Sequence, residues 1–173
     1  MDPPGAQLTT PRLALDPLRP EDADEMAEVL GDPRLYAFIG GEPPTVEQLR
    51  DRYRRLAVGR SPDGLEEWRN WIIRGRTDRR SVGTVQATIT DRGRRADIAW
   101  VIGQSWQGQG LASEAAQALV RWLEARGVPS ITAHVHPDHQ ASAIVASRAG
   151  LEPTAEIGDG ERVWLRGPGG AAG

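Results

Sequence analysis

Between Gln107 and Ser113 the chain reads Gln-Gly-Gln-Gly-Leu-Ala-Ser, and a helix-forming run follows at once. Glycine lets a backbone pass close to a ligand because no Cβ stands in the way. The first N–H groups of a helix lack intrahelical partners, and the helix dipole adds positive potential there. Together these features make a place for phosphate, the alternative being a glycine turn that serves geometry alone. Two phosphate signatures are excluded. The dinucleotide fingerprint needs a third glycine and a later acidic residue, and neither is in place. A Walker loop needs a lysine, whereas all 21 basic residues here are arginine. Any phosphate would therefore meet a planar guanidinium fork, not a point charge.

A second group of residues could handle protons. His134, His136, Asp138 and His139 form His-x-His-x-Asp-His. On a strand, His134 and His136 point to the same side. A metal centre also needs a complete ligand set and supporting bonds, so no metal is assigned. Histidine as a residue type titrates nearest neutrality, so such a side chain can either accept a proton or hydrogen-bond a neighbour. The chain has no cysteine, which excludes disulfides and thiolate metal sites and suits a reducing interior.

The elements that must position these groups are legible from periodicity. Leu13 to Leu15 forms a first strand, and Pro20 opens a helix with Ala23, Met26, Ala27 and Leu30 on one face. Thr45 and Gln48 make a capping box ahead of a second helix bearing Val46, Leu49, Tyr53 and Leu56. Trp68–Ile73, Val82–Ile89 and Ala96–Ile102 follow as three short strands joined by polar turns, which is the pattern of an antiparallel meander. Strict alternation puts Trp68 and Trp71 on opposite faces. Leu111, Ala115, Ala118, Leu119, Trp122 and Leu123 then mark a helix from Leu111 to Arg126, stopped by Gly127. Ile131–Val135 is the next strand. Ala141, Ile144 and Val145 mark a short helix, and Gly158-Asp159-Gly160 turns a final hairpin. The fold class is α/β, a mixed sheet with helices on both faces. One domain is expected over residues 8–166, with flexible tails at 1–7 and 167–173. A net charge of −3 gives no sign of a nucleic-acid surface. With no membrane-length apolar run and no signal-peptide pattern, a cytoplasmic protein is expected.

Gln107-x-x-Gly110-x-Ala112 resembles the Q/R-x-x-G-x-G/A acyl-CoA signature of the GNAT superfamily of N-acetyltransferases. Ala96–Ile102 looks like that family's fourth strand. Val135–Leu151 resembles the corresponding stretch of the ribosomal-protein alanine acetyltransferase (RimJ/RimL-like) branch. The similarity runs from about Pro11 to Leu165 and is most specific over Trp100–Leu151. It implies a sheet of about seven mostly antiparallel strands, with a V-shaped splay between the fourth and fifth. The substrate would be acetyl-CoA and the acceptor a primary amine, a protein N-terminus or a small molecule, attacking the thioester directly. A longer acyl-CoA, or a CoA-binding sensor without turnover, are the alternatives. The protein would be a monomer or a homodimer.

The resemblance also assigns positions. Backbone of Trp100, Val101 and Ile102 would pair with the pantetheine arm. The diphosphate would sit on Gly108, Gln109, Gly110, Leu111, Ala112 and Ser113, after Gln107. His134 stands where the family often has a glutamate base. Asp97 and Glu161 match carboxylates that branch members use. Ser142 matches a serine that can bond the coenzyme sulfur, with first-turn capping as its alternative. Ala146 occupies the place of the acid tyrosine found in many members. His139 replaces an asparagine that contacts pantetheine, and Arg148 replaces a lysine near the coenzyme phosphate.

Overall fold

Alternation along the strands decides which side of the sheet each helix covers. The computed structural model describes residues 6–167. Its strands are β1 (Leu8–Thr9), β2 (Leu13–Pro17), β3 (Glu67–Gly75), β4 (Ser81–Thr90), β5 (Arg95–Ile102), β6 (Ser130–Val135), β7 (Glu152–Gly158) and β8 (Glu161–Arg166). The helices are α1 (Ala23–Val29), α2 (Val46–Ala57), α3 (Leu111–Ala125) and α4 (Gln140–Arg148). All eight strands join one sheet in the order β1-β2-β3-β4-β5-β6-β8-β7. Every pairing is antiparallel except β5 with β6. The eighth strand is the two-residue β1, too short to show a period.

Val85, Ala87, Ile89, Ala96, Ile98, Ile131 and Ala133 point toward α3 and form the larger core with Ala115, Leu119 and Leu123. Trp71 lies on this side, edge-on to Trp122 with ring centroids 5.0 Å apart. Ile72 points the other way, into a second core with Met26, Leu49 and Tyr53 from α1 and α2. Trp68 therefore falls on the α1/α2 side, as alternation requires. Burial of these apolar side chains supplies the main favourable term, roughly 1.5–3 kcal/mol for each large one.

Local signals act where expected. Gln48 N–H donates to Thr45 Oγ1 at 3.1 Å, and Thr45 N–H donates to Gln48 Oε1 at 3.0 Å, closing the capping box of α2. Asp159 and Gly160 have φ of 51° and 80°, the pair of positive angles that a tight hairpin turn requires. Two details differ from the sequence reading. Ile144 is 51% exposed, so the inner side of α4 is carried by Val145 and Ala146 instead. Ala6 and Gln7, expected in the first tail, are held: Trp71 Nε1 donates to the Ala6 carbonyl at 3.1 Å, and Gln7 bonds Asp16. The rest of the two expected tails, residues 1–5 and 168–173, lies outside the described residues.

Gly83 fixes how closely β5 approaches β4. A Cβ at this position would run into the Val101 carbonyl oxygen. Gly83→Ala should therefore push the two strands apart and cost about 1–3 kcal/mol. Urea denaturation reads this directly, and an unshifted midpoint would remove the close approach as a requirement.

Candidate functional site

The pairing of β5 with β6 stops partway. Arg95, Ala96, Asp97 and Ile98 pair with Ser130, Ile131, Thr132 and Ala133. Beyond that point β5 runs on to Ile102 against β4 alone, and β6 runs on to Val135 against β8 alone. A gap thus opens along Ala99–Ile102 on one arm and His134–Val135 on the other. Trp100, Val101 and Ile102 line the first arm; Trp100 and Ile102 turn backbone groups toward the opening without a strand partner, while the Val101 carbonyl faces Gly83 of β4.

At the open end the chain turns through a short 3-10 segment, Gln104–Trp106, into the glycine loop. Gln107 Nε2 donates to the Ile102 carbonyl at 3.0 Å, so this side chain pins the loop to the end of β5. Gly108 and Gly110 adopt φ of 81° and 77°, a region that favours glycine. Gly110 is the N-cap of α3, and no side chain caps that end. The N–H groups of Leu111, Ala112 and Ser113 consequently lack an intrahelical acceptor and carry the positive end of a 15-residue helix. Beside them lies a cleft of about 510 Å3 lined by Arg12, Gly110, Ser113, Gln117, Arg121 and Arg148.

A charged clasp holds this loop from the far end of the sequence. Arg12 Nε donates to Glu114 Oε1 at 2.8 Å, its backbone N–H donates to Oε2 at 3.0 Å, and Thr10 also bonds Oε2. The Arg12 guanidinium then donates to the Gln109 carbonyl at 2.9 Å. Burial pushes the Glu114 carboxyl up, but the bonds from Thr10 and Arg12 prevail and hold it below its ordinary value.

On the opposite side of the sheet, Asp97 and His134 meet at the base of the gap. His134 Nε2 lies 3.4 Å from Asp97 Oδ1, and Thr132 Oγ1 donates to the same carboxylate at 3.0 Å. Burial raises the Asp97 carboxyl above its ordinary value, opposed by His134, the Thr132 bond and Arg95. Glu161 falls on this side as well, because His134 pairs with Val163 and Glu161 is two residues further along β8. Gln86 and Ala99 are exposed beside them, so the sheet forms an open shelf here.

The other expected residues sit around the mouth. Ser142 is the third residue of α4 and half-buried. The N-cap of that helix is His139, with no side-chain bond at the cap, so the capping alternative for Ser142 is not realised. His139 stacks on Phe38, with ring centroids 4.4 Å apart and planes 8° from parallel. His136 also touches Phe38, at 5.3 Å, while its Nδ1 accepts a bond from the Asp138 N–H. Burial, with His136 adding to it, lowers the His139 pKa. Ala146 is fully buried. Arg148 lines the cleft beside α3 and not the gap itself.

Sequence reasoning did not reach Thr10, Arg12, Glu114, Thr132, Phe38 or Arg121. Only Phe38 carried a signal, being the chain's single phenylalanine in a polar, glycine-rich connection.

Comparison with known proteins follows the same outline. The profile of the acetyltransferase (GNAT) domain matches residues 12–152. A relative from Bacillus licheniformis, described as uncharacterized N-acetyltransferase p20, is 32% identical over 138 residues, 78% of this chain and 76% of its own. RimL, a ribosomal L7/L12 alpha-N-protein acetyltransferase solved with coenzyme A, superposes with a TM-score of 0.77 at 18% identity, covering 93% of this chain and 97% of its own. An acetyltransferase from Salmonella typhimurium that modifies the N-terminal serine of L7/L12 gives 0.75 at 18% identity, covering 94% and 99%. At such identities the two structures establish a shared fold.

The clasp has a pH signature. Because the folded-state pKa of Glu114 lies below the ordinary 4.5, its stabilisation is complete above that pH and fades as pH falls through the folded value. Glu114→Gln should cost about 1–2 kcal/mol at pH 7 and progressively less in strong acid. Urea titrations across pH follow the difference, and an equal deficit at every pH would contradict the clasp.

Proposed function

The chain belongs to the GNAT acetyltransferase family, and from that premise we propose that it moves the acetyl group of acetyl-CoA to a primary amine by direct attack in a ternary complex. The observation that carries this reading is the end of β5–β6 pairing at Ile98 and Ala133, flanked by the uncapped start of α3 and by the Asp97–His134 pair. The residues present fit the coenzyme. The amides of Gly108 to Ser113 suit a diphosphate, and the free edge of Trp100 to Ile102 suits the amide-bearing pantetheine arm.

The acceptor approaches from the α1/α2 side, over the shelf of Gln86, Asp97 and Ala99. Its nitrogen must be neutral to attack, so its proton has to leave before or during bond formation. His134 takes that proton, directly or through a water. Asp97 orients the imidazole and stabilises the cation that forms, much as a carboxylate supports histidine in hydrolytic triads. As the new C–N bond forms the C–S bond breaks, and the departing sulfur accepts a hydrogen bond from the Ser142 hydroxyl. Glu161, on the same face, offers a second route for a water-borne proton. His139 and Arg148 flank the arm and the phosphate end of the coenzyme. No cysteine exists to form an acyl-thioester, which agrees with direct transfer. The RimL comparison makes a peptide α-amine the first acceptor to test.

A thiol-release assay with acetyl-CoA, run over peptides and small amines, tests the activity. On the best acceptor, His134→Ala should lower kcat/KM by about a hundredfold. Asp97→Asn should cost less, and the double variant no more than His134→Ala, because the two act as one unit. Losses that multiply would mean that the residues act separately. Ser142→Ala should lower kcat by about tenfold with little change in KM for acetyl-CoA. A pure KM effect would move Ser142 from the reacting sulfur to coenzyme binding.

A further inference from the structure

Alternation sets Arg95, Asp97 and Ala99 of β5 on the open face of the sheet, beside Thr90, Thr88 and Gln86 of β4. Ser130, Thr132 and His134 continue that face on β6. Among the described residues of these three strands, Arg95 is the one permanent cation. It is exposed, and it forms no ion pair among the described residues, whereas its neighbour Arg94 is paired with Asp91. Asp97, two residues along, is taken up by Thr132 and His134. Burial raises the Asp97 carboxyl and Arg95 is among the groups that oppose it, so the two stand near each other without pairing.

This shelf is closed at one end. Val101, the next residue of β5 on the same face beyond Ala99, packs into the second core with α1 and α2. An acceptor whose nitrogen lies between Ala99 and His134 therefore extends the other way, over Asp97 toward Arg95. Strand spacing puts Arg95 about 7 Å from Asp97 and about 13 Å from Ala99. In an extended peptide the side chains of residues 1 and 3 share a side, and their α-carbons are about 7 Å apart. A carboxylate on residue 3 then comes within reach of the long Arg95 side chain, while residue 2 points away from the sheet. The planar fork of a free guanidinium suits a carboxylate, which it can bond through two parallel N–H groups.

We infer that Arg95 sets acceptor specificity by pairing with a carboxylate side chain on the third residue of a peptide acceptor. The inference rests on the reading of the chain as an amine acetyltransferase whose acceptor lies on this shelf. An acidic third residue supplies the partner that Arg95 lacks, at a place clear of the reacting atoms.

Thiol release from acetyl-CoA reads this with short peptides, amidated at the C-terminus, that differ only in carrying Asp, Asn or Lys at residue 3. Wild type should favour Asp over Asn by about three- to tenfold in kcat/KM, the scale of one half-exposed ion pair, and should disfavour Lys. Arg95→Gln should erase that preference, and Arg95→Glu should turn it toward Lys. Because Arg95 also acts on Asp97, either variant can change the rate with every peptide together, so the ratio between peptides is the readout. A preference that survives Arg95→Gln overturns the assignment, as does a wild type indifferent to residue 3 or one that selects an acid at residue 2 instead. Wild type that acetylates small amines but no peptide overturns it too, and leaves the proposed function standing. Wild type that acetylates no amine at all overturns the proposed function and this inference with it, a result distinct from the others.

Discussion

Every backbone N–H and C=O needs a partner, and β5 finds partners on both edges only as far as Ile98. From Ala99 to Ile102 one edge is left open while β4 still holds the other. An amide group left without any partner costs about 1–3 kcal/mol, so such an edge stays wet or receives a ligand that can bond like a strand. An extended chain carrying amides is the complement of that edge. The remaining features of the site follow from this opening, because its two arms set where the loop, the helix start and the Asp97–His134 pair stand.

The two faces of the sheet divide the work. On the α3 side, the glycine loop and the helix start offer uncapped N–H groups beside a cleft of arginines. On the other side, Asp97 and His134 share a shelf left uncovered by α1 and α2. Chemistry between two molecules can then occur through the gap, with each molecule approaching from its own face. Positioning depends on a contact distant in sequence. Thr10 and Arg12 reach Glu114, 102 residues beyond Arg12, and through the Gln109 carbonyl they fix the loop that precedes α3.

Much of this was legible in the sequence because it is local. The helical recurrence from Leu111 to Leu123 marked α3, and the glycines before it marked the loop. Alternation placed Trp68 and Trp71 on opposite faces, and the turn residues marked the last hairpin. The resemblance, from the fourth-strand segment Ala96–Ile102 through to the last hairpin, brought Asp97, His134 and Ser142 into consideration one at a time. What it left open was their contact. Asp97 meets His134 because β5 and β6 run parallel in a particular register, and periodicity within a strand carries no register. The Arg12–Glu114 clasp was beyond reach for the same reason, since no local rule links residues so far apart. Ile144 shows the converse failure. Its spacing suited a buried face, but α4 packs on Val145 and Ala146 and leaves it half in solvent.

Amide hydrogen exchange of the full chain with and without coenzyme A tests the central claim most directly. The account predicts slower exchange in two separate stretches, Gly108 to Ser113 and, within Trp100 to Ile102, the N–H groups of Trp100 and Ile102 that face away from β4, as the ligand takes up N–H groups that no strand or helix partner holds. Unchanged exchange in both stretches at saturating coenzyme A, or protection confined to another part of the sheet, would contradict it.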